Sequence, residues 1–193
     1  MILIRHNMNL GDLNIDKTWT LFLDRDGVIN VRLIDDYVKN PDDFIFVEGV
    51  LEAIRDLSEK FGRIVIVTNQ QGIGKGLMTE SELEKVHNKM LAEINKFSGK
   101  IDRIYFSPFR KEENNISRKP QIGMALQARK EFPDINFKKS IMIGDSISDI
   151  LFGKKLKMKT VFVSDDMSLI NKNFRIIDFT VKSLCEFSEK ISN

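Results

Sequence analysis

Residues 18–30 read Thr-Trp-Thr-Leu-Phe-Leu-Asp-Arg-Asp-Gly-Val-Ile-Asn, and the first six of them decide the fold class. Thr18–Leu23 is apolar on both faces, as a strand covered on both sides must be. It stops at a pair of carboxylates, Asp24 and Asp26, followed by Gly27. The same pattern returns downstream. Arg63–Thr68 contains Ile-Val-Ile-Val and runs into Asn69, Ile101–Ser107 contains Ile-Tyr-Phe, Ser140–Gly144 contains Ile-Met-Ile, and Lys159–Val163 contains Thr-Val-Phe-Val. Helical patterns separate these runs. Val50, Leu51, Ile54 and Leu57 form one stripe. Thr79–Glu82 is a capping box, followed by Leu83, Val86, Met90, Leu91, Ile94 and Phe97 at helical spacing. Pro120 opens a helix expected to run to Glu131, Ile147, Ile150 and Leu151 mark another after Asp145, and Val181–Ile191 predicts a terminal covering helix. Strands alternating with helices predict right-handed crossovers and a three-layer α/β/α sandwich around a central, mainly parallel sheet.

The chain has 193 residues, which suits one domain, taken as 18–193, behind an N-terminal extension, 1–17, whose role is not readable. There are 30 Lys+Arg against 28 Asp+Glu, so the net charge is +2, and nothing global points to nucleic acid or a membrane surface. No run reaches 18 apolar residues, and Met1–Ile4 is too short for a signal-peptide core, so neither a membrane span nor export is expected and the protein reads as cytoplasmic, with a monomer as the default. A single cysteine, Cys185, makes neither an internal disulfide nor a cysteine-based zinc site. There is no long repeat or low-complexity linker.

In an open α/β sheet the working crevice lies off the carboxyl ends of the strands. Those ends carry Asp24/Asp26, Thr68/Asn69, the segment from Ser107 to Lys119, and Gly144/Asp145. Residues i and i+2 of an extended chain share a face, so Asp24 and Asp26 address one small site. One carboxylate attacks phosphorus; the other works as acid and base, provided its neighbour raises its pKa. The plainer alternative is an Asp-Gly turn. Thr68 and Asn69 offer a hydroxyl and an amide for a phosphate cradle, or merely a strand-to-loop turn. The following Gln70-Gln71-Gly72-Ile73-Gly74-Lys75-Gly76 is not a nucleotide P-loop, because Gly76 stands where Ser or Thr is required. Lys119 suits a point contact to a phosphoryl oxygen and Arg118 a bidentate one further out. Asp145 suits Mg²⁺ together with Asp24, or simply caps the next helix; Asp149 orients neighbours or caps.

Taken in order, acid pair, threonine, lysine and aspartate at successive strand ends resemble the haloacid dehalogenase superfamily, with its Rossmann-like fold. Asp24-Arg-Asp-Gly-Val-Ile-Asn30, Thr68-Asn-Gln-Gln-Gly-Ile-Gly-Lys-Gly76 and Arg118-Lys-Pro-Gln-Ile-Gly-Met124 narrow the likeness to the heptose-bisphosphate phosphatase group, a relative of histidinol-phosphate phosphatase. The match spans about residues 18–165. The resemblance implies a phosphomonoesterase that forms an aspartyl phosphate on Asp24, with Asp26 as general acid/base and Thr68 and Lys119 on the transferring phosphoryl group. Mg²⁺ would be held by Asp24, the Asp26 carbonyl and Asp145. Asn69, Gln70, Gln71, Arg118 and Tyr37 (in the loop 32–37) would recognise a small phosphorylated sugar. The spacings of 44 residues from Asp24 to Thr68 and 51 from Thr68 to Lys119 leave no room for a large cap domain.

The chain departs from that group in three places. Many members carry a zinc loop of three cysteines and a histidine; here Ser107-Pro-Phe109 and Asn115-Ile-Ser117 hold neither, so no zinc is expected and the loop 108–117 should be more mobile. Ser146 replaces a lysine common after the last motif's aspartate, and the loop 32–36 reads slightly long. A receiver-type phospho-acceptor domain also combines Asp, Thr and Lys on an α/β sheet, but chain length and the position of Asp24 after the first core strand argue against it. His87 reads as a packed or half-exposed helix residue, His6 lies in the unread extension, and Trp19 is core.

Overall fold

The computed structural model describes residues 9–192. His6 and the stretch Met1–Ile4 lie outside the described residues. Six strands form one sheet: β1 (Thr20–Leu23), β2 (Arg63–Asn69), β3 (Arg103–Ser107), β4 (Ser140–Gly144), β5 (Lys159–Val163) and β6 (Phe179–Val181). All neighbours pair in parallel, in the order β3-β2-β1-β4-β5-β6. Among the described residues seven α-helices accompany them: α1 (Val50–Lys60), α2 (Gln71–Gly74), α3 (Glu80–Lys96), α4 (Gly123–Glu131), α5 (Ile147–Lys155), α6 (Met167–Asn173) and α7 (Leu184–Ser192).

Alternation along each strand sorts its side chains into two cores. Leu21, Leu23, Ile64, Ile66, Ile141 and Ile143 point to the face covered by α1, α3 and α7. Phe22, Val65, Val67 and Met142 point to the other, where α4 and α5 supply Met124, Ala125, Ala128 and Phe152. This is the three-layer sandwich expected. Burying each such side chain contributes about 1.5–3 kcal/mol, so the central strands tolerate no polar position short of their ends.

Several elements differ from the sequence reading. Leu10 and Leu13, on a short 3₁₀ turn of the segment taken as an extension, are buried in the larger core beside Trp19, and the turn packs on α7. Pro120 does not open a helix: residues 118–121 close a turn, Gln121 N–H donating to the Arg118 carbonyl at 2.8 Å, and α4 begins at Gly123. The expected terminal helix from Val181 is split, because Phe179–Val181 pairs with β5 as a sixth strand and the helix starts at Leu184. A one-turn helix, α2, sits inside the glycine-rich stretch.

What matters for function is where the sheet changes direction. From β1 the chain builds outward through β2 and β3, then returns to the other side of β1 for β4. Leu23 lies opposite both Ile66 and Ile143; β4 runs one residue further and β2 three, and the residues at these carboxyl ends share one crevice.

Candidate active site

The floor of that crevice is a charge cluster. Asp24, directly after β1, accepts the Arg25 backbone N–H at 2.8 Å through Oδ1, and the same oxygen lies 2.8 Å from Lys119 Nζ. Lys119 Nζ also faces Asp149 Oδ1 at 2.6 Å and donates to the Val67 carbonyl at 2.6 Å. An ammonium has three protons, and each has a partner here. Burial pushes the Asp24 carboxyl far above its ordinary range, reinforced by the charge of Asp149 and opposed by Lys119. Lys119 is buried, which favours its neutral form, but Asp149 and Asp24 outweigh that and hold it charged.

Asp145 completes the cluster. Its Oδ2 meets Arg32 Nη1 at 2.9 Å, while its buried Oδ1 has no hydrogen-bond partner. Burial raises this carboxyl too, against the pull of Arg32. Carboxylate oxygens of Asp24, Asp145 and Asp149 lie within 4.8 Å of one another. Three hard oxygen donors crowded at that distance, one of them unsatisfied, suit a small divalent cation. Two glycines make the crowding possible. Gly27 has φ +81°, and a Cβ there would lie 2.0 Å from Asp145 Oδ2; a Cβ on Gly144 would lie 2.3 Å from Asp149 Cβ. Asp145 is not the cap of α5. Ser146 is, its N–H donating to Asp149 Oδ2 at 3.0 Å and its hydroxyl at 2.7 Å. Asp149, fully buried, therefore fixes both Lys119 and the start of α5, a larger part than its sequence position four residues beyond Asp145 announced.

Asp26 is clamped by three side chains. Arg25 Nη2 reaches its two oxygens at 2.9 and 3.1 Å, Asn30 Nδ2 donates to Oδ1 at 3.0 Å, and Gln70 Nε2 to Oδ2 at 3.0 Å. The sequence reading needed a neighbour that raises its pKa, and the structure supplies the opposite. Burial does push it up, but the Arg25 charge and the donated hydrogen bonds win and leave the carboxyl below its ordinary value.

Thr68 is buried at the end of β2, its hydroxyl accepting from Gln70 Nε2 at 2.9 Å. The amide of Asn69 is engaged reciprocally with the Lys119 backbone, accepting its N–H at 3.0 Å and donating to its carbonyl at 3.2 Å. Asn69 and Gln70, expected to recognise substrate, both line the cavity and also hold Lys119, Thr68 and Asp26 in place. Above the floor opens a cavity of about 610 Å³ whose lining includes Arg32, Tyr37, Gln71, Lys75 and Arg118. Gln71 Nε2 donates to the Tyr37 hydroxyl at 3.0 Å, Lys75 Nζ sits 5.4 Å from the Tyr37 ring centroid, and Arg118 donates to the Phe109 carbonyl at 3.0 Å. The loop 108–117 is closed by a Ser107–Ser117 hydroxyl pair at 3.0 Å and by Asn115, which accepts the Ser117 N–H at 2.9 Å. Sequence reasoning missed that Arg32, of the loop 32–37, reaches Asp145 from the mouth, and it missed the pair Arg25–His87 beneath Asp26. No local pattern announces either, since each depends on chain segments far apart meeting in the fold.

A parallel sheet with an aspartate pair, a threonine, a buried lysine and two more aspartates gathered at the carboxyl ends of its central strands defines a phosphatase of the haloacid dehalogenase type. The model of the polynucleotide kinase 3 phosphatase family matches residues 21–183. D-glycero-alpha-D-manno-heptose-1,7-bisphosphate 7-phosphatase of Campylobacter jejuni is 38% identical over 174 residues, covering 90% of this chain and 98% of the relative. The D-glycero-beta-D-manno enzyme of Haemophilus influenzae is 34% identical, with 86% and 92% covered. The solved D,D-heptose 1,7-bisphosphate phosphatase of B. bronchiseptica, complexed with magnesium and phosphate, superposes with TM-score 0.81 at 26% identity, covering 90% of this chain and 98% of that one. The chain belongs to the heptose-bisphosphate phosphatase family of the haloacid dehalogenase superfamily, and it is a phosphatase.

Proposed function

We propose that this phosphatase is Mg²⁺-dependent and removes the 7-phosphate of a D-glycero-D-manno-heptose 1,7-bisphosphate. The observation that carries the reading is the Asp24–Lys119 contact of 2.8 Å on the cavity floor, with the unsatisfied Asp145 oxygen beside it. Nucleophile, phosphoryl-binding cation and cation-binding oxygens then occupy one place. Asp24, Asp145 and the Asp26 carbonyl would hold Mg²⁺, which when bound neutralises charge on the phosphoryl oxygens and keeps Asp24 ionised.

The residues themselves do the rest. The Asp24 carboxylate attacks phosphorus in line, forming the acyl phosphate as the bond to the sugar oxygen breaks. Asp26, once turned from its clamp and protonated, gives its proton to that leaving oxygen. It then takes a proton from the water that cleaves the acyl phosphate, releasing inorganic phosphate. Lys119 and the Thr68 hydroxyl face the charge that builds on the phosphoryl group, where most of the acceleration arises. Asn69 and Gln70 keep them there. Arg32, Lys75 and Arg118 at the mouth suit the second phosphate, and Tyr37 and Gln71 the sugar hydroxyls. Support for these substrate contacts comes from the relatives' named substrate and from the cations Arg32, Lys75 and Arg118 among the residues lining the cavity.

The test is phosphate release with Mg²⁺ from both anomers of the heptose bisphosphate, from histidinol phosphate and from a 3′-phosphorylated oligonucleotide. A heptose preference of about a hundredfold or more in kcat/KM, about 2.7 kcal/mol of differential transition-state binding, is expected. Comparable rates on all four would discard the substrate while leaving the phosphatase.

A further inference from the structure

His87 lies on α3, among the buried residues Leu83, Val86 and Met90, and belongs to none of the catalytic motifs. Its Nε2 is 3.2 Å from Nη1 of Arg25, a side chain with no exposed surface. The other amino group of the same guanidinium, Nη2, holds both oxygens of Asp26 and lies 3.3 Å from Gln70 Oε1. Phe44 flanks the group, its ring centroid 5.9 Å from Cζ. Arg25 Nε, buried, has no partner, so the guanidinium is anchored at its two amino ends only.

We propose that His87 is a positioning residue for the acid/base Asp26, acting through Arg25. A guanidinium offers donors and no acceptor, so the imidazole nitrogen facing it must accept, which places the ring proton on Nδ1. Burial, and then the charge of Arg25, pull the imidazole far below its ordinary value of 6.5, to about 3, against a weaker opposing effect of Asp26; the ring is neutral and stays an acceptor. With Nη1 held by His87, the guanidinium cannot roll about its long axis, and Nη2 keeps its fork on the Asp26 carboxylate. Without that acceptor, a buried donor is left unsatisfied, and the guanidinium turns to recover a partner. Asp26 then loses the defined starting position from which it swings to the leaving oxygen. The link spans 62 residues of sequence and joins a helix on one face of the sheet to the crevice at its edge.

This inference rests on the reading of Asp26 as acid/base, and the leaving group separates the two. Donation to a sugar alkoxide needs a well-placed acid; departure of a p-nitrophenolate does not. The Mg²⁺-loaded enzyme is assayed for kcat/KM on the heptose bisphosphate and on p-nitrophenyl phosphate, a quantity that ends with leaving-group departure. His87→Leu, of similar size and without an acceptor, should lose about tenfold more on the sugar ester than on the aryl ester. His87→Gln, whose Oε1 can accept from Arg25, should recover most of the difference. Asp26→Asn should discriminate the two esters at least as strongly. Equal losses on both esters in His87→Leu, or no rescue by glutamine, overturn the positioning role while Asp26→Asn still discriminates. Equal losses in Asp26→Asn overturn the acid role and the inference with it. Should His87→Leu not fold, long-range ¹H–¹⁵N correlation on the wild type decides: a neutral Nδ1–H ring is expected, and a proton on Nε2 refutes the arrangement.

Discussion

The floor and the mouth of the cavity are built by opposite rules. On the floor, Lys119 is 2% exposed and Asp149 not at all, and Lys119 Nζ is held at once by Asp24, Asp149 and the Val67 carbonyl of β2. At the mouth, Arg32 has a side chain 58% exposed with one ionic partner, Ile34 is 88% exposed, and Tyr37 is tied by a single hydrogen bond to Gln71 and a cation on its ring. A preorganised floor stabilises charge without rearranging, which is what phosphoryl transfer demands of it. A lightly tethered mouth changes at little cost to stability, so discrimination among substrates belongs there.

The comparison breaks first, and hardest, at Asp24. Asp24→Asn should lower kcat by at least about a thousandfold, roughly 4 kcal/mol of barrier, with the melting temperature unchanged or raised because a crowded buried charge is gone. Phosphate release and a thermal melt together check this. Next comes the layer beneath the floor. His87 is held at about 3 when folded against 6.5 unfolded, with Arg25 and Asp26 the charged groups facing it, so the unfolded chain binds the extra proton between those values. Stability should therefore fall as pH drops below 6.5, by up to about 1.4 kcal/mol per pH unit from this residue. Urea titrations at pH 7 and 4.5 should show that loss reduced in His87→Gln. A smaller effect concerns the cation. Saturating Mg²⁺ should stabilise the wild type by about 2–3 kcal/mol at a hundred times its Kd, and Asp145→Asn should abolish the shift in calorimetry. The smallest lies at the mouth, where Arg32→Ala should raise KM for the sugar bisphosphate about tenfold, with kcat within a few-fold. A fall in kcat as large as that of Asp24→Asn would move Arg32 from the mouth to the floor.

The same contrast governs what the sequence revealed. β1, β2, β4 and β5 were legible because continuous apolar runs have few other uses, and the Thr79–Glu82 box marked the start of α3 at the residue where it begins. β6 escaped because three residues with Thr180 exposed carry too little pattern, and Leu10 and Leu13 because two apolar residues on one 3₁₀ turn form no stripe. The motif residues Asp24, Thr68 and Asp145 stand at strand ends, where a rule about sheets gathers them, and Lys119 joins them from the turn 118–121 before α4. Their supports were not readable that way. Asn69 pairing with the Lys119 backbone, Arg32 reaching Asp145 across 113 residues, and His87 meeting Arg25 are long-range accidents of packing that periodicity does not encode.

The sheet's two outer strands carry a last consequence. β6 is only three residues long, and β3 opens with Arg103, whose side chain is 60% exposed and paired with Glu131. An unpaired strand edge is a template for another chain's backbone, and short length and an outward charge are the features that blunt it. A sheet so thoroughly apolar in its middle is thus guarded at its margins against open-ended pairing with another chain once folded. Replacing Arg103 with a β-branched apolar residue is the change that would expose how much of the protein's solubility resides in one terminal guanidinium.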